Sequence, residues 1–496
     1  MGMVVNTNIG SLVAQAAANA TNKSMDTSME RLSTGKRINS AADDAAGMAI
    51  SSRLEAQSRG LNQAIRNAAD GQAMIDTTEG AHAEITNILQ RMRELAVQSA
   101  NDTNVSADRS NLQAEVTQLI AEIDRIAGQT TWNGVAVLDG TFTAKQLQIG
   151  AQQGQTTSFS VDSAKAAAIG SYKIAGTAFA VDSNATTTIA ADTDGSISGY
   201  LGSATIAVTA GDSAKDYAAA VNAKTGSTGV TATAVTKAKI HSLGAAGTVT
   251  FNLVGDASAA ISATMSTTGD LGALKTAINQ KSGVTGITAN LGSTAAELIL
   301  THATGEDIVI DTFTHTVSGA TGTFDFQALD ADGATADSTD LVIDDGTNGA
   351  ATGSVVGQVD LHSIKAFTTA DLENSGEDGF FGTSAGSTAG ISNIASVNIA
   401  TTTGAASAIT AIDGAISKIN NARAELGGLS NRLDSTIANL TNIKTNADVS
   451  RSNIEDADFA AETSNLAKMQ ILSQAATSML AQANQSKQSI LALLQG

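Results

Sequence analysis

Residues 51–101, SSRLEAQSRGLNQAIRNAADGQAMIDTTEGAHAEITNILQRMRELAVQSAN, carry apolar side chains at the spacing of one long helix. These side chains recur first every seven positions and then every three or four, which is typical of a helix with one narrow apolar seam. They are Leu54, Leu61, Ala68, Ile75, Ile85, Ile88, Met92 and Leu95. Ser40 and Asp43 have the spacing of a helix cap, and a helix from Ala45 to Asn101 would be about 85 Å long at about 1.5 Å per residue.

Two further stretches repeat this spacing. The first contains Leu112, Val116, Leu119, Ile123 and Ile126; Ser106 is expected to cap this helix and Gly128 to end it. The second contains Ile409, Ile412, Ile416, Ile419, Leu426, Leu433, Ile437 and Leu440. Gly427 and Gly428 lie inside it and cost about 1 kcal/mol each relative to alanine, so they allow a local kink. Because a single helix cannot bury such a seam, three seams predict that both ends of the chain meet in an antiparallel bundle.

The segment between the seams has the pattern of β-structure. A turn is predicted at Asn133-Gly134, and strands are predicted at Gln146–Ile149, Thr205–Val208, Thr248–Val254 and Asp307–Phe313. Residues 220–234, AVNAKTGSTGVTATA, resemble residues 277–291, AINQKSGVTGITANL. Each copy is expected to contain the end of a short helix, a glycine turn and a strand, in duplicated βαβ-like or ββα units. The predicted fold class is α+β multidomain, an antiparallel coiled-coil bundle of both termini with inserted β-rich outer domains.

The composition narrows the classes of function. The 496 residues include no proline and no cysteine, and 48 acidic against 28 basic residues give a net charge of −20. This charge repels nucleic acid and anionic lipid. No run of about 18 apolar residues predicts a membrane span, and the N-terminus lacks the pattern of a cleaved signal peptide. The lack of cysteine suits a chain that is exported unfolded through an oxidising space, but a cytosolic enzyme can also lack cysteine by chance, so the composition leaves the location open.

Residue types that could support catalysis or ligand binding are present, but not in the required patterns. The five histidines, His82, His241, His302, His315 and His362, have no metal-ligand spacing, so we expect solvated side chains and no metal. The acidic residues from Asp330 to Asp345 lack the ligand order of a calcium loop and are expected in turns between strands. The glycine-rich residues 346–353 lack the phosphate-loop lysine. We therefore expect no catalytic residue, no cofactor and no enzyme activity.

The two ends of the chain are polar-rich amphipathic segments, residues 1–42 and 452–496, with no evident partner domain. Too little apolar area is available in them to offset the entropy of ordering, so alone they are expected to be poorly ordered. With a partner they would form an assembly interface. The apolar side chains expected to serve it are Leu12, Leu32, Leu466, Leu472, Leu480, Leu491 and Leu494.

Four stretches resemble the signature sequences of the bacterial flagellins. Residues 31–50, RLSTGKRINSAADDAAGMAI, and 90–101, QRMRELAVQSAN, match near the start. Residues 452–459, SNIEDADF, and 481–484, AQAN, match near the end. The resemblance covers about residues 1–165 and 395–496, and the middle is similar to the family only in being a variable insert.

This resemblance implies a subunit that polymerises into the flagellar filament for swimming motility. Its implied parts are an inner helical core from residues 1–44 and 452–496, a coiled-coil spoke from 45–170, with a β-hairpin, and 397–451, and outer β-rich domains from 171–396. The terminal helices would fold on incorporation at the filament tip. The implied location is the extracellular filament, reached by flagellar type III secretion.

The resemblance also implies partners: other copies of the chain, the flagellar cap and hook–filament junction proteins, an export chaperone, and the Toll-like receptor that senses flagellin. Related sequences place receptor recognition on residues that match Arg91, Leu95 and Glu115, which could equally serve subunit packing. A hook–filament junction protein and a secreted filamentous adhesin remain alternative functions. The heptads at both termini argue against an adhesin.

Overall fold

A computed structural model describes residues 7–101, 103–181, 195–209, 211–317, 322–333, 340–344, 351–370, 380–381 and 387–495 of the chain. For residues 179–181 and 487–495 the structure describes the backbone only. The chain divides into two compact units. Unit 1 contains residues 1–75, 144–159 and 428–496, and unit 2 contains residues 76–143 and 160–427.

Long helices occupy both ends of the chain, and short helices occur in the middle. In chain order they are α1 Ile9–Thr34, α2 Ala45–Ser99, α3 Ser106–Gln129, α4 Ala214–Ala223, α5 Thr225–Thr228, α6 Gly272–Asn279, α7 Ser282–Thr285, α8 Thr402–Glu455 and α9 Phe459–Gln495. A 3-10 turn covers Ile394–Ser396. Helix α8 continues through Gly427 and Gly428, so the two glycines do not end the helix.

The strands lie between α3 and α8, and every strand pair among the described residues is antiparallel. They are β1 Thr131–Trp132, β2 Val135–Ala136, β3 Lys145–Gln148, β4 Thr156–Phe159, β5 Gly170–Ala175, β6 Phe179–Val181, β7 Ser196–Ser198, β8 Ser203–Thr205, β9 Val230–His241, β10 Gly247–Val254, β11 Ser258–Met265, β12 Ile287–Leu291, β13 Leu298–His302, β14 Ile308–His315, β15 Phe324–Leu329, β16 Leu341–Ile343, β17 Gly353–Val356, β18 Gln358–Ser363, β19 Thr368–Ala370 and β20 Gly390–Asn393. The predicted combination of helical termini with a β-rich insert is therefore confirmed.

Unit 1 holds α1, α9, the first part of α2, the last part of α8 and the hairpin β3–β4. Leu61, Ala64 and Leu440 form a small apolar cluster between α2 and α8. The hairpin packs on α2 at Gly71, where a Cβ atom would lie 2.6 Å from the Leu147 Cδ1 atom. Only glycine admits this close approach without a shift of Leu147.

Unit 2 contains a helical part and a larger β part. The helical part buries apolar side chains of α2, α3 and α8, and ion pairs cross its surface between Arg93 and Asp413 and between Glu79 and Arg423. In the β part, one sheet has the order β11-β10-β14-β17-β6 and another has the order β12-β13-β9-β18-β5-β20, with β15 and β16 attached to β9. Phe251, Phe313 and Phe324 pack together in the main β core, with ring centroids 4.9 to 6.5 Å apart.

The internal repeat corresponds to two copies of the same local structure. The sequence α4-α5-β9 in the first copy matches α6-α7-β12 in the second. Asn222 donates to the Ala232 carbonyl and accepts from its N–H, and Asn279 forms the same two bonds with Ala289. Gly229 and Gly286 both have a positive φ, as the turn after each short helix requires. A two-stranded hairpin precedes each helix pair, β7–β8 and β10–β11, so both copies are ββα units followed by a strand.

Three local predictions were wrong. Ser40 and Asp43 bond to each other in a separate turn, and Asp44 accepts instead from the Gly47 N–H, because it directly precedes the first helical residue. Helix α3 has Val105 at its N-cap, so Ser106 is the first helical residue and not the cap, and the helix ends at Gln129, one residue after Gly128. The strand predicted at Thr205–Val208 ends at Thr205.

Candidate assembly interface

The terminal helices α1 and α9 pack against each other in antiparallel orientation. Near one end Asn8 donates to the Ala483 carbonyl at 3.3 Å, and near the middle Ser473 donates to Asn22 at 3.0 Å. At the other end Arg31 lies 3.9 Å from Glu462. Polar contacts at three positions along α1 and α9 therefore fix the register of the helix pair.

The link between α1 and α2 is attached to the end of α8. The backbone N–H of Arg37 donates to the Glu455 carbonyl at 2.6 Å, and the Ala457 N–H donates to the Gly35 carbonyl at 2.9 Å. The Glu455 carboxylate accepts from Lys36 and, at 2.7 Å, from Ser51. The hydrogen bond from Lys36 and then that from Ser51 lower the pKa of Glu455, so this carboxylate stays ionised. The RLSTGKRIN stretch thus joins the N- and C-terminal segments through hydrogen bonds and an ion pair.

The α1–α9 pair leaves its large apolar side chains in contact with solvent. Among the described residues, no apolar side chain of α1 or α9 is buried. Phe459, Ile471 and Met479 of α9 are 65%, 67% and 66% exposed. Other exposed apolar side chains of these helices are Ile9, Leu12, Val13, Met29 and Leu472. We call these eight side chains the terminal apolar surface.

The predicted assembly residues fall into three groups. Leu12 and Leu472 belong to the terminal apolar surface. Leu32, Leu466 and Leu480 are half-buried along the pair. Leu491 and Leu494 lie on α9, but their side chains are outside the described residues. The sequence had not singled out Phe459, Ile471 or Met479 for this role, although each is a large apolar residue among small and polar ones.

The predicted seam residues lie mostly inside the helical parts of the two units. In unit 1 the buried ones are Leu61, Ile75, Leu433 and Leu440. In unit 2 they are Ile85, Met92, Val116, Ile123, Ile412, Ile419 and Leu426. Leu54 and Leu112 are only half-buried. In contrast to the terminal pair, these helices bury their seams within one chain.

Arg91 and Glu115 form an exposed ion pair, whereas Leu95 is buried. The Arg91 guanidinium donates to Glu115 at 2.8 and 3.0 Å and to Glu94 at 3.1 Å. The hydrogen bonds from Arg91 to these carboxylates raise its pKa, first the one to Glu115 and then the one to Glu94. Leu95 is 1% exposed, so in this conformation it supports the surface from below and is not part of it.

The histidines are not the solvated side chains that the sequence suggested. His82, His302 and His315 are buried, and burial lowers the pKa of His82 and of His362 to about 4. The sequence does not show this burial, because it depends on how the strands and helices pack. Among the described residues, His241, Asp325 and Asp340 bring potential metal-ligand atoms within 4.8 Å of one another.

None of the helices, as far as the chain is described, is long and apolar enough to cross a membrane.

The comparisons with known proteins agree on one family. The family described as bacterial flagellin N-terminal helical region matches residues 5–143, and its C-terminal counterpart matches residues 409–494. The flagellin hook IN motif matches residues 196–243, which include β7 to β9.

Curated flagellins match along the whole chain. The B-type flagellin of Pseudomonas aeruginosa is 40% identical over 498 residues, with both proteins covered completely. The flagellin of Salmonella typhimurium is 37% identical over 533 residues, also with complete coverage of both. The solved structure of FliC from Burkholderia pseudomallei is 23% identical, with a TM-score of 0.29 over 73% of this chain and 99% of that one. The full-length identities show that the chain belongs to the bacterial flagellins, the structural subunits of the extracellular flagellar filament, which are not enzymes.

Proposed function

We propose that the chain polymerises by burying the terminal apolar surface against neighbouring copies, with α1 and α9 as the assembly device. The observation that carries this proposal is the exposure of Phe459, Ile471 and Met479 on a helix pair without a buried apolar side chain among its described residues. Ordering one residue costs about 1–2 kcal/mol of backbone entropy, and a pair of this kind cannot offset that cost alone. Copies of the chain are the natural partner, because every subunit then contributes the same surface.

The proposal further places the ordering of α1 and α9 at the growing tip of the filament. Before incorporation, the exposed apolar side chains would need protection from aggregation, for which an export chaperone is the expected partner. The cap protein at the tip and the junction proteins at the hook are the other expected partners, and flagellar type III secretion is the expected export route. These partners and this route follow from the resemblance to flagellins.

The test is electron microscopy of purified monomer after seeding or salting out, beside a variant that lacks residues 1–40 and 455–496. We expect long filaments from the full chain and none from the truncated one. Filaments from the truncated chain, or the absence of filaments from the full chain under every condition, would overturn the proposal that α1 and α9 are the assembly device.

We further propose that the exposed surface formed by Arg91, Glu94 and Glu115 contacts the flagellin-sensing Toll-like receptor. The supporting observation is that Arg91 is held at the surface by two carboxylates, which fixes its guanidinium for contact with a partner. Leu95 would act indirectly, by packing under the helix that carries Arg91.

Arg91→Ala is therefore expected to weaken receptor signalling by the monomer roughly tenfold or more, as for a central interface arginine. The measurement is a dose–response curve in receptor-expressing reporter cells. Arg125→Ala is the matched control, since Arg125 is also exposed on this helical part and pairs with Glu122. Equal signalling by the Arg91 and Arg125 variants would contradict the receptor proposal but not the assembly proposal.

A further inference from the structure

Three ionisable side chains meet at one end of the sheet that contains β9. His241 is the last residue of β9, and Asp325 lies directly opposite it on β15. Asp340 immediately precedes β16, which pairs with the other edge of β15. The three side chains are 18%, 24% and 38% exposed, so all three are partly accessible to solvent.

The spacing of His241 and Asp340 suits a bound metal ion better than a direct hydrogen bond, and Asp325 offers a third ligand atom within 4.8 Å of theirs. The Nε2 atom of His241 lies 3.5 Å from Asp340 Oδ1, and its Nδ1 atom lies 3.8 Å from Asp325 Oδ2. Both distances are too long for a strong hydrogen bond. Two ligands on a tetrahedral ion with bonds of about 2.0–2.2 Å are roughly 3.3–3.6 Å apart. The separation of Nε2 and Asp340 falls in that range.

The imidazole orientation leaves one nitrogen for a ligand. His241 Nδ1 lies 2.7 Å from the hydroxyl of Ser242, whose backbone has a φ of 54°. With its proton on Nδ1 the ring donates to Ser242, and Nε2 then carries a lone pair that faces a carboxylate oxygen. Nε2 is buried and has no hydrogen-bond partner among the described residues. A cation between the two atoms satisfies both, and a hydrogen bond to the second ring nitrogen is the usual support for a metal-binding histidine.

We propose that His241, Asp325 and Asp340 bind a divalent transition-metal cation, of which Zn²⁺ fits best. One imidazole and two carboxylates favour such an ion over Ca²⁺, which prefers six to eight oxygen ligands. The two carboxylates balance its charge, and water completes the coordination. The ion would join β9, β15 and β16. This proposal is independent of the role of α1 and α9 in assembly.

The experiment is a calorimetric titration of ZnCl₂ into EDTA-treated full-length monomer. We expect one saturable equivalent, and at least tenfold weaker binding in each of His241→Gln, Asp325→Asn and Asp340→Asn. Loss of the supporting hydroxyl in Ser242→Ala should weaken binding about tenfold to a hundredfold. Asp76→Asn is the matched control, because it removes an exposed carboxylate elsewhere in unit 2 and should bind Zn²⁺ as the parent does.

Circular dichroism in EDTA checks that each variant is folded. Imidazole ¹⁵N spectra of the unaltered chain provide a test that needs no substitution: Zn²⁺ should shift Nε2 of a single histidine, and this signal should be missing in His241→Gln. Absence of saturable binding would overturn the proposal. Binding that survives in all three ligand variants would also overturn it. The cluster would then be a group of polar side chains that binds no ion.

Discussion

The double variant Ile471→Gln, Met479→Gln is expected to lose filament growth while it remains a folded monomer. Both side chains are about two-thirds exposed in the single chain, and glutamine has a helix propensity close to that of methionine. The substitutions should therefore cost the monomer little stability. In the filament each of these side chains buries its remaining two-thirds, which contributes about 1–2 kcal/mol. Since 1.4 kcal/mol corresponds to a factor of ten, the critical concentration should rise roughly 30- to 700-fold.

The measurement is the concentration of protein left in the supernatant after seeded polymerisation and sedimentation. Leu201→Gln is the matched control, because Leu201 is 57% exposed in unit 2 and undergoes the same change from apolar to polar. It should polymerise at the parent concentration. If the double variant also did so, Ile471 and Met479 would remain solvated in the filament, and the terminal apolar surface would have another role.

The helical architecture was predictable because it depends on local periodicity. A seam such as Ile412 to Leu440 repeats every three, four or seven residues, and this period alone indicates which side of a helix is covered. It does not indicate what covers it. Leu433 is buried within one chain, whereas Ile471, in a similarly apolar stretch, is exposed. The difference between an internal core and an assembly surface therefore became visible only when the helices were placed.

Features that depend on long-range pairing could not be predicted. His241 and Asp325 are far apart in sequence and become neighbours through the register of β9 and β15. The helix start was misplaced for a related reason. Both Ser40 and Asp44 are good capping residues, and the choice between them depends on the position of the link bonded to Glu455. The internal repeat was visible in the sequence because, in both copies, a glycine forms the turn and an asparagine bonds to the nearby strand.

The helical part of unit 2 contains one polar stretch within its buried seam. Thr78, His82 and Thr86 of α2 are all buried, and each would be apolar in a regular heptad core. The charged groups that act on His82 are Glu79, on the preceding turn, and Arg423 of α8, which form an ion pair with each other. Burial disfavours the imidazolium and lowers the pKa of His82 to about 4. The charge of Glu79 raises this pKa in part, and the charge of Arg423 lowers it further.

Acidification is therefore expected to destabilise this helical part through His82. The neutral imidazole is favoured in the folded state, so its contribution to stability is complete above the unfolded pKa of about 6.5 and is lost as the pH falls towards 4. The difference between the two pKa values corresponds to roughly 3 kcal/mol of unfolding free energy across that window. Glutamine stays neutral at both pH values. Between pH 7.5 and 4.5 the parent should therefore lose more unfolding free energy than His82→Gln, by about this amount.

Urea unfolding at the two pH values, followed by the fluorescence of the only tryptophan, Trp132, measures this difference close to α3. Ionised carboxylates elsewhere will also respond to acid, and Glu84→Gln controls for them by removing an exposed ionisable group two residues further along α2. That control should keep the acid sensitivity of the parent. If His82→Gln kept it as well, the imidazole would have to be protonated without loss of packing. The seam around His82 would then admit water, and its burial would not explain why the chain places a histidine in a coiled-coil core.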